Sequence, residues 1–172
     1  QYLFIEKDLA GVDRTKTPWL VFAGHRPMYV NSGGPGASEC EGSIADEEHC
    51  ANDQPVARLM RSSLEPLLLR HEVDLAVYGH HHSYQRTCKV ADMVCKGVST
   101  KTSGETVEGY VAPVHVVLGM AGMGLSQNMV SPPPEWVEYA TDREFGLCTL
   151  VADRSKLELS FILNSDGQVR RF

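Results

Sequence analysis

The chain has 172 residues, 42% hydrophobic, 22% charged and 8% aromatic, a balance that belongs to a globular chain rather than a disordered, collagen-like or membrane-embedded one. Its formal net charge is −6, from 16 Lys+Arg against 22 Asp+Glu, so it lacks the basic face needed to displace counterions from nucleic acid or an anionic membrane. The longest stretches free of polar side chains, Trp19 to Gly24 and Val116 to Leu125, fall far short of the roughly 20 residues that span a bilayer.

Gln1 begins directly in an amphipathic segment without the features of a signal sequence, so the chain reads as processed, trimmed or partial. Tyr2, Leu3, Ile5, Leu9 and Val12 are spaced mostly three or four apart, which predicts a short amphipathic helix. Trp19 to Ala23 is a continuous apolar run between Pro18 and Gly24, the pattern of a strand buried on both faces in a layered α/β fold. From Asn31 to Asn52 the composition turns to Gly, Ser, Pro and acidic residues, predicting a long loop. Helical spacing resumes at Val56, Leu59, Met60, Leu64, Leu67 and Leu68, with Pro66 either kinking that helix or opening a second one. Val73 to Tyr78 is the next expected buried strand.

Lys89 to Gly109 is polar and reads as an exposed excursion. Pro113 to Leu118 is a third strand, running into a Gly-rich turn from Gly119 to Gly124 that could be a backbone nest for an anion. A dinucleotide-loop reading of that turn fails, because no clear helix follows before Pro132. Gly146 to Ala152 and Leu157 to Leu163 predict two strands joined around Asp153-Arg154-Ser155, and Asp166-Gly167 predicts a hairpin into a last short strand.

Five cysteines cannot all pair internally. Cys40 with Cys50 and Cys88 with Cys95 can each close a short loop, which implies an oxidising compartment, and the alternative is free buried thiols. Cys148 is left over as a buried thiol in an alternating strand.

Two expected strands end in histidine, at His25 and at His80-His81-His82. Ligands bind beyond the carboxyl ends of strands in open α/β sheets. In extended chain His80 and His82 share a face while His81 points elsewhere, a geometry that suits a metal clamp. The plainer reading of each is a hydrogen-bonded structural histidine, and His115, flanked by Val114 and Val116, is read that way.

These residues carry a resemblance. Val21-Phe22-Ala23-Gly24-His25-Arg26-Pro27-Met28-Tyr29 and Gly79-His80-His81-His82-Ser83-Tyr84-Gln85-Arg86 resemble the late histidine motifs of the purple acid phosphatases. The Thr17-Pro18-Trp19 approach, Glu65-Pro66-Leu67-Leu68, Val73-Asp74-Leu75 and Asn164-Ser165-Asp166-Gly167 also look family-like. The resemblance covers nearly the whole chain and implies part of a four-layer α/β/β/α metallophosphoesterase sandwich. It implies that His25 and His80 bind a divalent metal (zinc, manganese or iron), that His82 binds ferric iron, and that His81 occupies a variable position. The activity implied is phosphoester hydrolysis of the acid phosphatase type by metal-bound hydroxide at a dinuclear centre.

The family's three earlier motifs are missing, so residues 1–172 read as the carboxyl-terminal part of the catalytic domain, with the amino-terminal half as a partner. The fragment alone is then expected to be inactive. Gly34 and Pro35 stand where many plant-type members place a substrate-binding histidine. His49 is a stand-in candidate for that role, and a solvent-exposed loop histidine is its plainer reading. Arg26 and Arg86 read as packing or ion-paired residues. The resemblance and the cysteines together imply a secreted, extracellular or vacuolar/lysosomal location. A non-catalytic scaffold or binding protein on the same fold is the rival reading, and a simple metal-binding module using the histidines alone is a second.

Overall fold

The computed structural model describes residues 1–33, 53–97 and 110–171. The amino-terminal amphipathic segment forms α1 (Tyr2–Ala10), closed at Gly11, whose N–H donates to the carbonyls of Lys7 and Asp8 at 3.2 and 3.1 Å. After β1 (Val21–Gly24), α2 runs unbroken over Gln54–Arg70. Pro55 lies in its first turn, where no backbone donor is lost, and Pro66 is carried inside the helix rather than dividing it.

β2 (Leu75–Tyr78), β3 (Tyr84–Ala91), β4 (Val94–Cys95), β5 (Val114–Leu118) and β6 (Val137–Thr141) join β1 in one sheet of order β1-β2-β5-β3-β4, with β6 also paired to β3. β1, β2 and β5 are mutually parallel, and β3 returns antiparallel to β5. β7 (Gly146–Ala152), β8 (Leu157–Leu163) and β9 (Val169–Arg171) form a separate antiparallel meander.

Side-chain alternation along the parallel strands builds two cores. Ala76 and Tyr78 of β2 face the helices, packing with Leu9, Leu67, Leu68, Met28, Tyr29 and Trp136. Leu75 of β2 and Val116 of β5 face the meander, packing with Leu159, Phe161 and Leu163. Tyr84 and Phe161 stack across that interface with ring centroids 4.1 Å apart. Leu67 and Leu68 are at most 1% exposed, and each such burial is worth about 1.5–3 kcal/mol. The described residues thus supply three of the expected layers, one of helices and two of sheet.

Three expectations need correction. Among the described residues β1 is not buried on both faces: β2 is its one strand neighbour, no described layer covers its side opposite the helices, and Val21 is 40% exposed. Lys89 to Gly109, expected as one exposed excursion, opens instead as a β3–β4 hairpin in which Val90 is fully buried while Lys89, Asp92, Met93 and Val94 are exposed and Asp92 and Met93 turn the chain at φ 51° and 61°; residues 98–109 lie outside the described residues. Paired positive φ values match a hairpin's right-handed twist, although Asp-Met lacks the usual glycine signal. Finally, β6 follows the Pro132-Pro133-Pro134 loop, where no strand was expected.

Cys88 and Cys95 are joined, with Cα atoms 5.7 Å apart, fastening β3 to β4. Cys40 and Cys50 lie outside the described residues. Cys148 is a free, half-buried thiol, pushed up to about 12 by burial.

Candidate metal centre

Parallel pairing decides where the histidines emerge. Gly24 of β1 is in register with Tyr78 of β2, so the segments carrying His25 and His80-His81-His82 leave the sheet at the same edge. β5, parallel to β2, delivers Gly119 to Gly124 there as well. The N–H of Gly79 donates to the His25 carbonyl at 3.1 Å, tying the two histidine segments together. His80 has φ 65°, a left-handed conformation that non-glycine residues adopt only where the surroundings hold it.

His80 Nδ1 lies 3.2 Å from His25 Nε2. Two nitrogen ligands at 2.0–2.1 Å on a tetrahedral cation lie about 3.3 Å apart, so this pair fits a shared divalent metal. The opposite nitrogen of His80, Nε2, lies 2.8 Å from Asp53 Oδ1, and that oxygen is 3.6 Å from the Arg26 guanidinium. Burial lowers the His80 pKa, with the Asp53 charge opposing it. His82 Nδ1 is 2.7 Å from the Gly124 carbonyl. A carbonyl only accepts, so Nδ1 carries the hydrogen and Nε2 keeps the lone pair a metal would use. Among the described residues, no three His, Cys, Asp or Glu side chains form a complete metal-binding group.

His81 turns inward and is 3% exposed. Its Nε2–H donates to Asn128 Oδ1 at 2.8 Å, and its Nδ1 lies 2.7 Å from the Ser83 hydroxyl and 3.2 Å from Gln85 Nε2. Burial lowers its pKa, opposed by the Asn128 bond. Gln85 then exchanges two bonds with the backbone of Asn31, accepting its N–H at 2.6 Å and donating to its carbonyl at 3.1 Å. The Asn31 side chain pairs in the same two-bonded way with Val130. Gln54 donates to the carbonyls of Val30 and Ser32 at 2.9 and 3.2 Å.

The Gly-rich turn supports this arrangement. Gly119 donates to the Ser83 carbonyl at 3.1 Å, Ser126 bonds the His82 backbone through both its N–H and its hydroxyl, and no helix follows. A methyl group on Gly119 would collide with the His81 carbonyl. Arg86 pairs with Glu138. His115 is buried 5.8 Å from the Tyr78 ring in a stack, with Nδ1 3.2 Å from the Tyr78 hydroxyl. Gly34, Pro35 and His49 lie outside the described residues. The sequence reading missed Asp53, Ser126, Gly124 and Asn128, which no local motif links to the histidines.

Residues 1–84 match the family model "Calcineurin-like phosphoesterase", and residues 112–170 match "Iron/zinc purple acid phosphatase-like protein C". The solved purple acid phosphatase PPD1 from yellow lupin (Lupinus luteus) seeds superposes with a TM-score of 0.74 at 35% identity, over 100% of this chain and 27% of that one. The chain belongs to the purple acid phosphatase family. Family relatives include "Probable inactive purple acid phosphatase 9" of Arabidopsis thaliana, 36% identical over 98% of this chain and 23% of its own length. A "Nucleotide pyrophosphatase/phosphodiesterase" of Hordeum vulgare is 33% identical over 98% of this chain and 41% of its own length. The chain therefore spans about a quarter to two fifths of the length of these relatives, and its mixed α/β sheets are part of the metallophosphoesterase fold.

Proposed function

We propose that this chain is the carboxyl-terminal part of a catalytic domain that hydrolyses phosphoesters at a dinuclear metal centre. In this reading His25 and His80 hold a divalent ion (zinc, manganese or ferrous iron) and His82 holds ferric iron. The observation that carries it is the 3.2 Å approach of His80 Nδ1 to His25 Nε2, two nitrogens at ligand spacing beyond the ends of adjacent parallel strands. When bound, such a metal pair activates water near neutral pH and neutralises charge on the phosphoryl oxygens. The protein's own contribution is orientation: Gly124 fixes the tautomer of His82, and the buried His81 network holds the turn that carries both neighbouring histidines.

Two ligands for one metal and one for the other are too few for tight binding, since stable zinc sites use three or four. The remaining ligands come from an amino-terminal half of the same domain, and the 172-residue chain alone is inactive. Two features support that partner. The free edge of β1 leaves Val21 exposed. On the meander, Leu147, Ile162 and Val169 are cross-strand neighbours, and Leu147 is 51% and Val169 45% exposed, forming an apolar row that a fourth layer would cover. The Cys88–Cys95 bond supports an oxidising location, extracellular or vacuolar.

The test is metal content and p-nitrophenyl phosphate turnover in the full-length protein. His25→Ala, His80→Ala and His82→Ala should each lower turnover by about a thousandfold or more with the fold retained, as expected when an essential unit is broken. A second reading, a metal-bearing but non-catalytic protein, is favoured by the relative named "Probable inactive" and by Gly34-Pro35 in place of a substrate histidine. Full metal occupancy with no turnover on monoesters or diesters would select it.

A further inference from the structure

The geometry points to Asp53 as a positioning residue that fixes His80 in the tautomer whose Nδ1 faces the divalent metal. This rests on the reading of His25 and His80 as ligands of one ion. The Asp53 carboxylate has no proton to give, so the 2.8 Å contact is a bond donated by His80 Nε2–H. The lone pair of the ring is thereby left on Nδ1, the atom that stands 3.2 Å from His25 Nε2. A metal-ligating histidine whose other nitrogen donates to a carboxylate is both oriented and made more basic.

Asp53 is placed for this task at some local cost. It is the N-cap residue of α2, yet its side chain makes no capping bond to the helix, although an aspartate in that position ordinarily accepts one from the first-turn N–H groups. The carboxylate instead turns to His80. Its backbone stays fixed, because Ala57 N–H donates to the Asp53 carbonyl at 2.9 Å. The side chain is only 13% exposed, and Arg26 lies 3.6 Å from the same oxygen, balancing its charge. His80 carries a second cost, its φ of 65°. Together these two departures bring one carboxylate oxygen onto one ring nitrogen.

The test uses the full-length protein, stripped of metal and titrated with zinc against a chromophoric chelator, as wild type, Asp53→Ala and Asp53→Asn. Histidine-ring 15N spectra follow His80, and thermal unfolding checks the fold. Asp53→Ala should weaken zinc binding about 10–100-fold, the usual loss for an outer-shell partner of a ligand, and should spread the His80 ring hydrogen over both nitrogens. Asp53→Asn keeps an accepting oxygen and should restore affinity to within about threefold. Wild-type affinity in Asp53→Ala would overturn the proposal, as would an Asp53→Asn protein that keeps the Nε2–H tautomer but binds zinc as poorly as the alanine variant, which would make Asp53 a direct ligand. Should Asp53→Ala fail to fold, Asp53→Asn decides on these same criteria. If wild type takes up no zinc, the ligand reading itself fails and takes this proposal with it, a result distinct from tight zinc binding that ignores Asp53.

Discussion

The histidine turn buries polar groups and the outer strand β7 exposes apolar ones, two costly placements that are handled in opposite ways. At the turn, the side chains of His81, Ser83, Gln85 and Asn31 and the neighbouring backbone share one set of bonds. Along β7, Leu147 and Val151 share a face and are 51% and 64% exposed. A buried polar group without a partner is costly wherever it sits, so the turn draws on distant parts of the chain, Asn31 and Asn128, to satisfy its buried groups. An apolar strand face can be left to a neighbouring layer. The turn is therefore closed by its own bonds, whereas β7 presents an exposed apolar face.

The largest expected effect tests the cost of polar burial through pH, at His115 of β5. His115 is buried and neutral, its pKa lowered to about 3 by burial, against about 6.5 in an unfolded chain. Its contribution is fully present above pH 6.5 and is lost as pH falls towards 3, because the unfolded state takes a proton that the native state refuses. The expected slope is about 1.4 kcal/mol per pH unit, or roughly 4–5 kcal/mol over the whole window. Urea unfolding at pH 7, 6 and 5 should show it, and His115→Gln should flatten the dependence.

Next in size is Gly119→Ala, which drives a methyl group against the His81 carbonyl and should cost about 3 kcal/mol. Gln85→Leu strands the Asn31 N–H and carbonyl and should cost about 2 kcal/mol. Both are read from denaturant midpoints. The smallest effect belongs to the open side: Val151→Lys should shift the stability of the 172-residue chain by less than about 0.5 kcal/mol. In the full-length protein the same change should cost about 2 kcal/mol or more if another layer covers β7. Equal, small effects in both settings would mean that β7 faces water in the native molecule and that the contrast with the turn is false.

Legibility in the sequence followed the same division between pattern and partnership. β2 and β5 were readable because runs such as Leu75-Ala76-Val77 and Val116-Val117-Leu118 contain little besides apolar residues. Most of β3 was not, because its Gln85 and Thr87 are polar yet 2% exposed, and only their distant partners make that burial tolerable. The histidines could be noticed at strand ends, but the chain there is not extended as expected: His80 has φ 65°, and the inward turn of His81 goes with its bonds to Asn128 and Ser83 rather than with strand alternation. Their supporting groups could not be noticed: Asn128 stands 47 residues from His81 and Ser126 stands 44 from His82. Asp53, just past the predicted loop, carried no signal of its own, and only the folded chain sets it beside His80.

The two-bonded pairing of Gln85 with Asn31, together with the reach of Gln54 to Val30 and Ser32, ties the chain leaving β1 both to β3 and to the first turn of α2. These bonds join the segments that follow His25 to the one that follows His80, so both should open as one unit, losing hydrogen-exchange protection together rather than one after the other.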